Sequence, residues 1–252
     1  MDVRLIIHQQ ATSTQDLARD LALRGEQEGA AVMALDQTHG RGRLGRSWVS
    51  PAGKNLALSL ILRPRLTAGE AVLLGMLTSI AAAETVEERG VRRADLKWPN
   101  DVLVDGRKIA GILPEARISG ELIDFVIIGL GLNVNSQESD FTADLMDSVT
   151  SLLVCTGKEH SLEDTARVFL RRMKVLYERS QTVGAGFIAP LWEARWAHRG
   201  LRLVRDGVSG LAEGLEWDGA LILRTDDGCR LRVRSGEVEP VDPSTWFGKR
   251  TE

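Results

Sequence analysis

Three guanidiniums, Arg41, Arg43 and Arg46, fall within six residues of the segment Gly40-Arg41-Gly42-Arg43-Leu44-Gly45-Arg46-Ser47-Trp48. Arginine presents a planar fork that matches carboxylate and phosphate. Glycines let backbone N–H groups come close to an anion. Like charges this near repel unless an anion lies among them, so the segment reads as an anion-binding loop rather than a merely solvated one. Two nucleotide patterns fit it only in part. Gly40-x-Gly42-x-x-Gly45 has the spacing of a dinucleotide fingerprint. However, Pro51 and Gly53 follow where a helix must start, and Arg63 and Arg65 stand where an acid is needed. Gly40-x-x-x-x-Gly45-Arg46-Ser47 approximates a phosphate loop, with Arg in place of Lys and again no helix behind it.

Three further segments carry chemistry. Lys97-Trp98-Pro99-Asn100-Asp101 gathers a cation, an aromatic, an amide and an acid around a proline bend. By itself it is equally a turn with a core tryptophan. Lys108 opens the otherwise apolar Lys108-Ile109-Ala110-Gly111-Ile112-Leu113. A lysine at a strand edge is ordinarily solvated, but a hairpin between Asp101 and Lys108 lets both face one pocket. In Gly129-Leu130-Gly131-Leu132-Asn133 the glycines permit close backbone approach, or are turn glycines of a loop, and Asn133 can aim an amide into the same place.

The elements that must position these groups follow from periodicity. Val3–Ile7 reads as a strand. Ser13 caps a helix, with Asp16 three residues on as a capping box asks and Gly25 as its stop. Buried strands are expected over 30–35, 55–62 and 122–128, with a long apolar helix over 70–89. Asp105-Gly106 marks a hairpin returning over 108–113, where Pro114 is expected to end the strand early. Helices are expected over 161–180, capped by Ser161, and over 190–198. After Gly200 the pattern becomes short strands parted by Asp206-Gly207, Asp218-Gly219 and Asp227-Gly228, the signature of a small β-barrel. The boundary is placed at 198/199, giving a catalytic domain over 1–198 and a barrel and tail over 199–252.

The 252 residues are 43% hydrophobic and carry a net charge of −3, which describes a folded chain with no global field for nucleic acid or acidic membrane. The longest uncharged stretch, 71–83, is too short to span a bilayer. Cys155 and Cys229 fit no metal spacing, and a reduced cytoplasmic chain is expected.

Together, Ser13-Thr14, the 37–48 segment Gln37-Thr38-His39 and onward, Lys97–Asp101, Lys108–Leu113 and Gly129–Asn133 resemble the biotin protein ligases in order and spacing. The C-terminal barrel is also a feature of that family. The resemblance implies an α+β fold: a mixed sheet with flanking helices, class II synthetase-like, plus an SH3-like barrel. It implies that biotin and ATP, with Mg2+, give biotinyl-5′-AMP, and that a lysine of a biotin carboxyl carrier protein then takes the biotin. Carried over by position, Lys108 holds the carboxylate and α-phosphate, Arg43 retains the adenylate, and Arg41 closes over it. Ser13, Thr14, Gln37, Gly40 and Gly111 lie around biotin, with Trp48 as a shared wall. Arg46, Lys97 and Asn100 lie on the ATP side, Asp101 near metal and acceptor, and Asn133 at the adenosine. Gln15 departs from the family's usual Asn after Ser-Thr. With no helix-turn-helix ahead of the first strand, no DNA partner is expected, nor a membrane; a homodimer, found in some members, is left open. Lipoate or octanoate transfer on the same fold is the rival reaction. A non-catalytic biotin sensor, or a nucleic-acid module built on Arg224, Arg230, Arg232 and Arg234, are readings of other classes.

Overall fold

The computed structural model describes residues 1–120 and 122–242; the end of the expected tail, 243–252, lies outside the described residues. The chain begins with β1 (Arg4–Ala11), α1 (Thr14–Leu23) and β2 (Ala30–Gln37), then β3 (Leu56–Leu62) and α2 (Ala71–Glu88). Next come β4 (Asp95–Lys97), β5 (Asp101–Val104), β6 (Arg107–Ser119) and β7 (Leu122–Leu132). These strands form one sheet in the order β1-β2-β3-β7-β6-β5-β4. Only β1 and β2 pair in parallel, which the α1 crossover between them permits.

Alternation along β3 and β7 sends side chains to opposite faces. Ile61 and Ile127 pack with Val32, Ala18 and Ala22 under α1, whereas Leu60, Leu62, Val126 and Ile128 meet the core around α2. Helix α2 is apolar all round because it is covered on every side. It packs on β6 and on α4 (Leu162–Val183), which follows the short α3 (Leu152–Thr156), and Gly219 of the C-terminal sheet presses on Met76, Val72 and Leu73. Leu74, Leu77 and Ile80 are fully buried there, each contributing about 1.5–3 kcal/mol. Ser161 caps α4 as expected, its hydroxyl accepting from Asp164 N–H.

Several expected boundaries move. β6 runs through Pro114 to Ser119. Ile112 N–H is the last to reach across to Asn100 O, so the Pro114 nitrogen lies on the side that β5 has left and breaks no ladder. β7 continues through Gly129 and Gly131, which are strand residues and not turn glycines, because β3 and β6 flank them. The last helix, α5 (Ile188–Glu193), stops well before His198. Residues 195–197 pair instead with the free edge of β4, through Leu96 N–H to Arg195 O and Ala197 N–H to Leu96 O. Ser13 takes the N-cap position of α1, but its hydroxyl caps nothing.

β8 (Arg202–Arg205), β9 (Val208–Leu215), β10 (Leu221–Arg224), β11 (Arg230–Val233) and β12 (Glu239–Pro240) form a separate antiparallel sheet, ordered β11-β10-β9-β8-β12. Asp206 and Gly207 both have positive φ, the two-residue turn that matches the twist of paired strands. The buried Trp98 indole N–H donates to Gly219 O and ties this sheet to the larger one. Among the described residues, no helix is long and apolar enough to cross a membrane.

Candidate functional site

One cavity has a floor of backbone. Gly111 of β6 pairs with Gly131 of β7, and Gly129 lies two residues along. On this bare strip lies the Trp48 indole, delivered by the glycine–arginine loop. A Cβ on Gly131 would stand 2.3 Å from Trp48 Cε2, and one on Gly111 3.1 Å from Trp48 Cζ3. Gly129 is likewise covered by Gln15, whose Cδ would lie 3.0 Å from a Cβ. Side chains on the floor are therefore excluded by what must lie on it. The space enclosed is about 150 Å³.

One end is polar and uncharged. Thr14, in the first turn of α1, donates its N–H and hydroxyl to Gln37 Oε1 at 2.9 and 3.1 Å, and its hydroxyl lies 2.8 Å from Ser59 Oγ. Gln15 Nε2 reaches Leu113 O and Glu115 Oε2. On three residues that line the cavity, a buried polar atom has no partner among the described residues: Ser13 Oγ, Gln15 Oε1 and Trp48 Nε1. Such atoms are costly unless a ligand satisfies them.

The other end is cationic. Lys108 Nζ lies 2.7 Å from Asp101 Oδ1 and 5.5 Å from the Trp48 ring centroid. Burial holds the Lys97 ammonium below the ordinary lysine range, opposed by Asp101 and assisted by Lys108. Arg43 donates to Asn100 Oδ1 at 3.0 Å and to Gly236 O at 3.3 Å, and burial lowers its pKa as well. Asn100 Nδ2 is itself fixed on Ile112 O, so Asn100 acts as the bracket that holds Arg43.

The glycine–arginine segment is a tight hairpin. Trp48 N–H bonds to Gly40 O and Gly42 N–H to Arg46 O, with Leu44 in the left-handed region at the tip. The three arginines do not crowd around one anion, as their spacing suggested. The hairpin sends them to different partners: Arg41 makes a two-pronged bond to Asp16, Arg43 turns to Asn100, and Arg46 pairs with Glu237 at 2.7 Å. The Asp16 carboxyl is held below its usual range by Arg41, and Arg41 is raised in turn. This explains why Asp16 does not complete a capping box.

Of the residues singled out by sequence, Ser13, Thr14, Gln37, Arg41, Arg43, Arg46, Trp48, Lys97, Asn100, Asp101, Lys108 and Gly111 all line this cavity. Gly40 and Asn133 do not. Gly40 is needed because a Cβ there would meet Trp48 O at 2.4 Å, so it shapes the hairpin from behind. Asn133 is buried and donates to Thr150 O, tying down the strand end rather than facing the cavity. Gln15, Ser59 and Glu237 were missed. Ser59 had a signal, as the lone polar residue of an otherwise apolar strand, and Gln15 had its place beside Thr14. Glu237 had none.

Comparison with known proteins gives one consistent result. Residues 6–133 match the biotin/lipoate A/B protein ligase family, and residues 201–239 match the biotin protein ligase C-terminal domain. The bifunctional ligase/repressor BirA of Bacillus subtilis is 35% identical over 243 residues, covering 95% of this chain and 74% of its own. The biotin–[acetyl-CoA-carboxylase] ligase of Paracoccus denitrificans is 36% identical, over 83% of this chain and 89% of its own. The Aquifex aeolicus biotin protein ligase, solved with biotin and ATP, superposes with a TM-score of 0.78 at 29% identity. That match covers 94% of this chain and 97% of the other.

Proposed function

Because the chain belongs to the biotin/lipoate A/B protein ligase family, we propose that the cavity on the glycine floor is where it joins biotin to ATP. The protein is a biotin protein ligase: it activates biotin to biotinyl-5′-AMP and passes the biotin to a carrier protein. The observation that carries the site assignment is the pairing of two halves in one cavity. Unpartnered, buried Ser13 Oγ and Gln15 Oε1 lie toward one end and Lys97, Lys108 and Arg43 toward the other, with the Trp48 indole between them. A ligand with a polar, uncharged head and a carboxylate that must meet a phosphate fits both.

In the first step a biotin carboxylate oxygen attacks the α-phosphorus, the bond to the β-phosphate oxygen breaks, and pyrophosphate leaves. Two anions must touch, so fixed cations lower the barrier most where charge builds up. Lys108, oriented by Asp101, neutralises the carboxylate and α-phosphate. Lys97 faces the phosphates, Arg46 stands at the hairpin tip on Glu237, and Arg43, bracketed by Asn100, holds the adenylate. Ser13, Thr14, Gln37 and Gln15 take the ureido end, where Ser59 sets Thr14. Trp48 walls both halves, and Gly111 gives it room. Arg41 leaves Asp16 to close the rim. Asn133 acts from behind by fixing the end of β7. In the second step a lysine amine of the carrier attacks the acyl carbon, loses its proton, and AMP leaves with the C–O electron pair.

Mg2+ bound with the triphosphate would neutralise phosphate charge, and Asp101, on the cationic side of the cavity, is the residue that would lie beside it. The carrier is a domain of a biotin-dependent carboxylase, and the division of labour is a catalytic part over 1–198 with a second domain over 199–252.

ATP–pyrophosphate exchange tests the reading. Exchange that requires biotin is expected. Exchange with lipoate or octanoate and not biotin would move the protein to the other branch of the family, and none with any acid would overturn the reading.

A further inference from the structure

Two carboxylates border a cavity that must bind anions, and each needs a reason to be there. Asp101 orients Lys108. The other, Glu237, comes from the C-terminal sheet, between β11 and β12, and pairs with Arg46 at the tip of the glycine–arginine hairpin. Beside it Gly236 has φ +97, a conformation that favours glycine. In that conformation its carbonyl accepts from Arg43, with the Arg205 guanidinium packed behind. The second domain thus grips the hairpin at two points, by charge at Arg46 and by a carbonyl at Arg43. The grip has a firm mount, since Trp98 bonds to Gly219 O and Gly219 fits against α2 with no room for a Cβ.

We infer that Glu237 is a positioning residue for the reaction: through Arg46 it holds the glycine–arginine hairpin down on the cavity, so that the adenylate is retained until the carrier arrives. The inference rests on the proposed reading of the cavity. Glu237 touches neither reacting atom, and its effect falls on the fate of the intermediate rather than on its formation. Arg46 is largely exposed and Glu237 about one-third exposed. Loss of the pair therefore changes retention by about two- to fivefold, the span such an ion pair carries.

The test measures the fraction of biotinyl-AMP released to solvent against that transferred to the carrier, with the melting temperature in parallel. Glu237→Gln is expected to raise the released fraction two- to fivefold while the melting temperature falls by no more than about 4 °C, and Glu237→Asp, which keeps the charge, by less. Arg46→Gln is expected to leak as well, and adding Glu237→Gln to it changes nothing further, as for two ends of one contact. If Glu237→Gln does not fold, Glu237→Asp against Arg46→Gln decides by the same partition. A wild-type partition in the Glu237 variants, or effects that simply add, overturns the inference. Failure of the wild type to exchange pyrophosphate with biotin overturns instead the reading of the cavity on which it rests.

Discussion

Replacing Lys108 by Ala separates catalysis from folding. Lys108 Nζ lies 2.7 Å from Asp101 Oδ1, and the two side chains are 32% and 17% exposed. A fully exposed pair contributes about 0.2–1 kcal/mol, while breaking a fully buried one costs about 3–5 kcal/mol. This pair lies between those limits, and Lys97 remains beside Asp101 to offset its charge. A cost of about 1–2 kcal/mol is expected, which lowers the melting temperature of a chain this long by about 2–8 °C. Against a typical stability of about 5–15 kcal/mol, more than ~99% of the variant stays folded. The effect on chemistry is of another size. Removing one preorganised group that faces developing negative charge costs about 10²–10³ in rate. Biotin-dependent ATP–pyrophosphate exchange should fall by that factor while circular dichroism is unchanged, and Lys108→Arg should recover part of it. Exchange within about fivefold of wild type would show that Lys108 does not meet the charge, and the placement of the carboxylate–phosphate end would be wrong.

Arg43→Gly removes the donors to Asn100 and Gly236; it should release biotinyl-AMP and label bystander lysines, and labelling confined to the carrier would refute its retaining role. Gly131→Ala places a methyl 2.3 Å from Trp48 Cε2; lifting the indole off the floor should raise KM for biotin by about five- to 150-fold, an overpacking cost of ~1–3 kcal/mol, read by steady-state kinetics. His198 gives a pH signature. Burial, with the Lys97 ammonium adding, pushes its imidazole down to about 4 from 6.5. The unfolded chain therefore takes up a proton below pH 6.5 that the folded chain refuses. Stability should be lost as pH falls from about 6.5 to 4, by up to about 3 kcal/mol. Thermal melts across that window should show the loss, and His198→Gln should flatten it.

The presence of most strands, the N-cap of α4 and the turn at Asp206-Gly207 were legible because each depends on residues within a few positions of one another. Most of the residues that line the cavity were legible for a related reason. Guanidiniums beside glycines, a lone strand lysine and paired glycines stand out from the apolar strands around them, so residue type and order alone pick them out. What the sequence could not decide was pairing across space. Asp16 reads as a helix-capping acid and instead holds Arg41, because Arg41, near the base of the hairpin, reaches the first turn of α1. Pro114 reads as a strand breaker and is harmless, because β5 has already turned away. Residues 195–197 read as helix and become the partner of β4, since an open sheet edge offers backbone bonds that local propensity cannot match. Three close arginines read as one anion cluster, yet tertiary folding gives each a separate partner, one of them Glu237, almost two hundred residues away. Chemistry of single residues is fixed by composition and order. Which charge meets which is fixed only when sheet order and domain contact bring distant segments together.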